Sequence, residues 1–252
     1  MIELKIQGRP VEAREGESLL DLARRQGFEI PSLCHHGALT PYGSCRLCLV
    51  EVSKRGRRGK IATACTHPAL PGLEVALDTP LVVRARSIAF ELLLAHAPEA
   101  PQVRELARRY GVETSRFERV EDPHDCILCG LCERVCRETV GACAISLEGR
   151  GSTRRIGAPF GDDTLCIGCG ACETLCPTGV LHAMREDLLE RLRRLPGEQR
   201  ACRYSLMGIL PGALCANDYR CERCETEHAM MDRAPDHPLF WADRPLVKGA
   251  TR

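Results

Sequence analysis

Sixteen of the seventeen cysteines in this 252-residue chain fall into four groups of four, and their spacing sets the chemistry open to the molecule. Two groups repeat one pattern. Cys126-Ile-Leu-Cys129-Gly-Leu-Cys132-Glu-Arg-Val-Cys136 and Cys166-Ile-Gly-Cys169-Gly-Ala-Cys172-Glu-Thr-Leu-Cys176-Pro177 both read C-x2-C-x2-C-x3-C. That step brings three thiolates from one tight loop onto three irons of a cubane, and the fourth cysteine ligates the cluster of the other run. The expected sets are Cys126, Cys129, Cys132 and Cys176 for one [4Fe–4S] centre, and Cys136, Cys166, Cys169 and Cys172 for a second. Each fourth cysteine is expected to start a helix. Gly130, Gly168 and Gly170 suit a backbone wrapped closely on a cluster, where a Cβ has little room. Two zinc sites could also use eight thiolates. Three cysteines in steps of three, closing on Cys176-Pro177, are the cluster pattern rather than the zinc one. The first run ends Cys136-Arg137, without the proline, which removes nothing essential.

The third group is Cys34-x10-Cys45-x2-Cys48-x16-Cys65. Four thiolates satisfy a two-iron [2Fe–2S] centre or a structural zinc. The fourth, Cys202-x12-Cys215-x5-Cys221-x2-Cys224, lies in a short tail rich in Pro and Gly that needs a metal to hold it. Zinc and [4Fe–4S] are both open there, and the iron–sulfur character of the rest favours the cluster. Cys143 stands outside the groups and reads as a small apolar residue.

The elements that must position these thiols are legible in part. Ile2, Leu4 and Ile6 alternate with polar residues, Gly8-Arg9-Pro10 reads as a turn, and Val11–Arg14 continues a hairpin. Ser18 is placed to cap a helix over Leu19–Gln26, with Asp21 at its third position and Gly27 as its stop. A long loop carrying Cys34, Cys45 and Cys48 leads into strands at Cys48–Val52, Ile61–Cys65 and Leu73–Leu77. This is a β-grasp ferredoxin layout. Leu81–Ala95 predicts a helix with Val82, Ile88, Leu92 and Leu93 as its apolar face, Val103–Tyr110 a short helix ended by Gly111, and Met184–Leu195 another closed by Pro196-Gly197. The fold class expected is α+β, in four parts. A β-grasp [2Fe–2S] domain spans 1–80, a helical linker 81–119, a two-cluster bacterial-type ferredoxin domain 120–184, and a helix with a four-cysteine metal-binding tail 185–252.

The segments Ile30-Pro31-Ser32-Leu33-Cys34, Gly43-Ser44-Cys45-Arg46-Leu47-Cys48-Leu49-Val50-Glu51-Val52 and Ala64-Cys65 depart from the plant ferredoxin spacing. Together with the two runs, they resemble the N-terminal iron–sulfur region of the large iron–sulfur subunit of respiratory complex I. The diaphorase iron–sulfur subunits of NAD-linked hydrogenases and formate dehydrogenases share it, and the resemblance covers residues 1 to about 185. In that family a helix leads into a His-x3-Cys-x2-Cys-x5-Cys loop holding a further [4Fe–4S] cluster. Here His96-Ala97-Pro98-Glu99-Ala100-Pro101 follows instead, with no cysteine before Cys126, so the linker is a degenerate form of that region. His67, His96 and His124 read as ordinary polar residues.

Composition excludes several classes. A net charge of +1 with 27% charged residues gives no nucleic-acid footprint. The basic stretches Lys54–Lys60, Arg150–Arg155 and Arg191–Arg194 read as solvated surface, or more sharply as docking sites for an acidic redox partner. Met1–Ile6 reads as a strand rather than a signal peptide, and Leu81–Ala95 carries Arg84, Arg86 and Glu91, so no transmembrane span is expected. Unpaired, metal-bound thiolates point to a reducing, cytoplasmic compartment. No nucleotide-binding glycine motif and no catalytic constellation is present, so the chain is expected to have no catalytic site of its own.

The resemblance then implies a role in electron transfer. A flavin-containing, NAD(P)H-oxidising subunit would stand on one side, and a catalytic subunit of hydrogenase or formate dehydrogenase type on the other. An alternative destination is a heterodisulfide reductase-like or flavin-bifurcating complex. A zinc-bound assembly scaffold is the reading from a different class, and it predicts a colourless protein.

Overall fold

A computed structural model describes residues 1–54, 57–120, 125–161, 165–166, 168–181, 189–206 and 210–233. The described chain forms two compact units, Met1–Cys129 and Gly130–Arg252, so the division falls inside the first cysteine run.

The first unit is built on a five-stranded mixed sheet. Strands β1 (Ile2–Ile6) and β2 (Arg9–Ala13) form an antiparallel hairpin with Ile6 opposite Arg9. Its turn is Gln7-Gly8, both left-handed at φ 50° and 76°, and not Gly8–Pro10 as the sequence suggested. A two-residue turn of this kind matches the strand twist. Pro10 sits inside β2, an edge strand where a missing N–H is tolerated. After helix α1 (Leu19–Arg25) come β3 (Leu49–Lys54), β4 (Lys60–Thr63) and β5 (Leu73–Ala76). The order across the sheet is β2-β1-β5-β3-β4, with β5 parallel to β1 and antiparallel to β3. This is the expected β-grasp layout.

Alternation decides which face is covered. Leu4, Ile6, Val11, Ala13, Val50, Leu73 and Val75 turn inward and meet Leu19, Leu20, Leu22 and Ala23 of α1. Ser18 caps that helix, its Oγ accepting from the Asp21 amide at 3.1 Å, and Gly27 at φ 83° follows its end. The free amides at the helix start are bound by the turn that follows β4 and carries Cys65: Leu19 N–H donates to His67 and Leu20 N–H to Ala64.

Helices α2 (Pro80–His96) and α3 (Pro101–Arg109) follow, with Thr79 capping α2 and Gly111 at φ 75° just past α3. The buried face of α2 differs from the one read from its leucines. Val82, Arg86, Ala89, Phe90 and Leu94 are buried, while Leu92 is half exposed. An arginine at the centre of that face is invisible to a count of apolar positions.

In the second unit, α4 (Leu131–Val135) packs against α5 (Ala171–Thr174), and β6 (Ser146–Glu148) pairs with β7 (Arg155–Gly157). Gly130 and Gly170 precede the two helices in left-handed conformation at φ 71° and 79°. Of the fourth cysteines, Cys136 starts a helical turn as expected and Cys176 does not. Cys136 ends α4 and opens a single wide turn to Val140, and Cys176 lies just past α5. The three residues between Cys132 and Cys136 make one helical turn, and Pro177 disfavours helical backbone at Cys176.

Further on, 189–193 are helical; the rest of the helix expected from Met184, over 184–188, lies outside the described residues. The tail contains Arg203–Leu206, a tight turn at Cys221–Arg223 and a helix at Glu225–Arg233. His124 and residues 234–252 also lie outside the described residues. Among the described residues, no helix is long and apolar enough to cross a membrane.

Candidate iron–sulfur centres

Cys34, Cys45, Cys48 and Cys65 are all buried in the first unit. Arg46, left-handed at φ 57°, bends the short loop so that Leu47 packs inward between Cys45 and Cys48. The sulfurs form two pairs. Cys45 N–H donates to Cys34 Sγ at 3.3 Å, and Leu33 N–H to Cys45 Sγ at 3.4 Å. Cys48 and Cys65 share a hydrogen bond at 3.3 Å between their sulfurs, across the register in which Ala64 N–H meets the Cys48 carbonyl. The shared proton holds Cys48 down to about 7 and Cys65 well above the usual thiol range. The Cys34 sulfhydryl and burial push Cys45 up. Cys34 also bears on Cys48 and Cys65, so all four lie within electrostatic reach of one another.

This donor set suits a cationic cluster. Burial and mutual repulsion stop four neighbouring thiols from ionising together, and bound iron supplies the charge that would let them. The cluster fits the chemistry of the donors.

Cys136, Cys166, Cys169 and Cys172 come together in the second unit. Burial pushes Cys136, Cys169 and Cys172 up, Cys172 to about 12, and each is raised further by others of the set. Backbone amides oppose this: Ala144 N–H donates to Cys136 Sγ at 3.2 Å. Cys143 is exposed and left-handed at φ 52°, not the buried apolar residue expected. Of the other set, Cys129 and Cys132 are buried while Cys126 and Cys176 are half-buried. Leu128 holds φ 51°, the conformation Gly168 holds at the equivalent place in the second run. In the first unit, Ser44 Oγ donates to the Leu128 carbonyl at 3.0 Å, tying the loop of Cys45 to that of Cys129.

In the tail, Ala201 bridges Leu214, with Cys202 N–H donating to Ala213 and Cys215 N–H to Arg200. Tyr219 N–H donates to Cys215 Sγ at 3.2 Å. Burial raises the Tyr219 phenol, and Cys215, Cys202 and Cys221 add to the rise while Arg200 opposes it, so three tail sulfurs lie within electrostatic reach of one hydroxyl. Cys224 follows Cys221 by one tight turn. Among the described residues, no three Cys, His, Asp or Glu side chains converge as on a single ion; a cluster spreads its ligands over several irons.

Two buried arginines, Arg86 and Arg203, and the half-buried Arg24 escaped the reading of the sequence. Arg86 Nε donates to the Leu47 carbonyl at 3.1 Å, and its Nη2 to Leu49 at 2.7 Å and Leu77 at 3.2 Å. It also lies 5.5 Å from the centre of the Tyr110 ring, which stacks on Phe90. Arg24 Nη2 donates to buried Ser32 at 2.6 Å; burial opposes its charge, and Asp21 and the thiols of Cys48, Cys65 and Cys45 favour it. Beside it, His35 Nε2 meets Asp21 Oδ1 at 2.8 Å. Arg203 occupies the tail. The only hint in the sequence was their position next to cysteine loops or on an otherwise apolar helix face.

Comparison with known proteins falls on these same two regions. A family described as a 2Fe-2S iron-sulfur cluster binding domain matches residues 1–80, and one described as a 4Fe-4S dicluster domain matches 125–180. The chain shares the N-terminal iron–sulfur region of the complex I large subunit and its hydrogenase relatives. It is 33% identical over 206 residues to an NADH-quinone oxidoreductase subunit of Rhizobium meliloti, covering 72% of this chain and 24% of that one. It is 32% identical over 226 residues to the NADP-reducing hydrogenase subunit HndD of Solidesulfovibrio fructosivorans, covering 76% and 38%. The chain thus spans well under half the length of these curated relatives. Among solved structures, one from an NAD+-reducing [NiFe]-hydrogenase in its H2-reduced state is similar, with a TM-score of 0.60 and 28% identity. That likeness covers 71% of this chain and 86% of the other.

Proposed function

We propose that this chain is an electron-transfer subunit. It would pass single electrons between a flavin-containing, NAD(P)H-oxidising partner and a catalytic subunit of hydrogenase or formate dehydrogenase type. The observation that carries the reading is the presence of buried and half-buried cysteine sets in two regions that match iron–sulfur families, in a chain similar to NAD-linked oxidoreductase subunits. Bound clusters would supply one-electron carriers.

The protein's own work is to hold and insulate them. Cys34 with Cys45, and Cys48 with Cys65, would each grip one iron of the [2Fe–2S] centre, as their sulfur pairing suggests. Cys126, Cys129, Cys132 and Cys176 would hold one [4Fe–4S] centre, and Cys136, Cys166, Cys169 and Cys172 the other. Cys202, Cys215, Cys221 and Cys224 would hold a further [4Fe–4S] or a zinc. Amides aimed at sulfur, such as Leu33 and Ala144, favour the electron-rich state of each cage. The Ser44–Leu128 hydrogen bond gives a short covalent and hydrogen-bonded route from beside Cys45 to beside Cys129.

Iron, acid-labile sulfide and zinc per chain test this on anaerobically purified protein. About ten irons with one zinc, or about fourteen irons and no zinc, is the expected result. A colourless protein with zinc alone would refute it. So would reduction of NAD with hydrogen or formate by the purified chain alone, since that requires a catalytic site within it.

A further inference from the structure

Arg203 follows Cys202 directly and is 6% exposed. Its Nη1 donates to the Cys169 carbonyl at 3.2 Å, so it reaches out of the tail and into the loop of the second cysteine run. Its Nη2 pairs with buried Glu227, whose carboxylate also accepts from the Tyr204 hydroxyl at 3.1 Å. The guanidinium lies 5.4 Å from the centre of the Tyr204 ring. Its Nε has no acceptor among the described residues. Burial works against the charge, and the Cys221 thiolate and Glu227 more than restore it. The influence runs the other way at Cys169, where Arg203 offsets part of the rise due to burial.

A buried cation is retained only where something anionic repays its desolvation. One carboxylate serves Arg203 directly, and that carboxylate is shared with Tyr204. Beyond that carboxylate, Arg203 touches the Cys169 carbonyl, and the charges of the Cys169 and Cys221 sulfurs lie within electrostatic reach of it. Since an arginine stays charged at any working pH, its field acts on both cages permanently.

We infer that Arg203 is a positioning residue that links two centres: it holds up the reduction potential of the one bound by Cys136, Cys166, Cys169 and Cys172, and makes that potential sensitive to the charge on the tail's four-cysteine site. The inference rests on the iron–sulfur reading above. A positive charge beside a cage stabilises its reduced, more negative state. Glu227 partly neutralises Arg203, so the two side chains act with opposite sign.

The test is an EPR-monitored reductive titration of the full, cluster-loaded chain and its variants. Arg203→Gln should lower the second four-iron centre's reduction equilibrium about tenfold, about 59 mV for one electron. Glu227→Gln should raise it, and Arg203→Lys should stay within about threefold of the parent. Cys221→Ser, which removes one anionic ligand from the tail, should raise the centre more in the parent than when Arg203 is Gln, because only the parent has a guanidinium to release toward Cys169. A merely structural arginine would give shifts of one sign in both neutralising variants, or none. Either result overturns the link, as does an equal Cys221→Ser effect with and without Arg203. A parent chain with no second four-iron signal would instead overturn the iron–sulfur reading itself.

Discussion

Replacing Arg86 with Met should loosen the two-iron site without touching a cysteine. The guanidinium makes three hydrogen bonds, and two of its acceptors, Leu47 and Leu49, flank Cys48 on either side. A hydrogen bond to a charged group contributes about 1.5–3 kcal/mol, and each buried carbonyl left without its donor costs about 1–3 kcal/mol. Against a gross loss of about 4.5–9 kcal/mol for the three bonds stands the desolvation of the guanidinium, which burial already makes unfavourable and which the variant removes. Met also keeps much of the packing on Tyr110. The net expectation is about 2–4 kcal/mol, and about 1–2 kcal/mol for Arg86→Lys, which keeps the charge but not the three-way fork. Cluster loss makes unfolding irreversible, so the quantity to follow is the rate at which visible absorbance bleaches in denaturant under anaerobic conditions. If the loop opens in the rate-limiting step, Arg86→Met should bleach about 30- to 1000-fold faster. The two-iron EPR signal should vanish before those of the four-iron centres. Bleaching within about threefold of the parent, or loss of all signals together, would refute the idea that this arginine clamps the loop.

Cys65→Ser should remove the two-iron EPR signal and lower iron by about two per chain, whereas Cys143→Ser, at an exposed position, should leave iron and sulfide unchanged. Gly170→Ala should cost about 1–2 kcal/mol from the left-handed conformation alone, read as lower occupancy of the second four-iron centre in refolding with iron and sulfide. The His35 hydrogen bond holds the Asp21 carboxyl below its usual range, with Ser18 assisting. Its stabilisation is therefore fully present above about pH 4 and is lost as pH falls through the lowered value. Asp21→Asn should cost about 1 kcal/mol near neutrality, the side chain being 43% exposed, and should flatten the acid limb of a melting-temperature profile.

The sequence was most transparent where one local rule decides the outcome. Ser18, Asp21 and Gly27 bracket α1 by capping chemistry alone, and alternation in Ile2–Ile6 and Leu73–Leu77 finds the covered faces of β1 and β5. It was opaque where a side chain acts against its type. Gln7 adopts the left-handed turn while Pro10 passes into an edge strand, a choice made by strand twist rather than by turn propensity. Arg86 and Arg203 are buried because carbonyls and sulfurs from distant segments surround them, and no spacing rule registers such partners. The helix start expected at Cys176 failed for a simpler reason: a C-x3-C step is compatible with the cysteine at either end of a turn, and Pro177 settles which end it is. The two regions that match iron–sulfur families were legible in the spacing of their cysteines, since thiolate chemistry constrains spacing more tightly than packing does.

Strand β5 comes last in the sheet's chain order yet lies at its centre, between β1 and β3. The hairpins β1–β2 and β3–β4 are each local, but only β5 joins them. All four cysteines of the two-iron site precede it, with Cys34 in the loop leaving α1 and Cys65 just past β4. A growing chain would thus display a full complement of thiols before the scaffold that aligns them can close. Maturation of this site would be timed by a segment that contributes no ligand, Leu73–Ala76, and a nascent chain cut short of Leu73 would carry every cysteine of the centre and still be unable to shelter it.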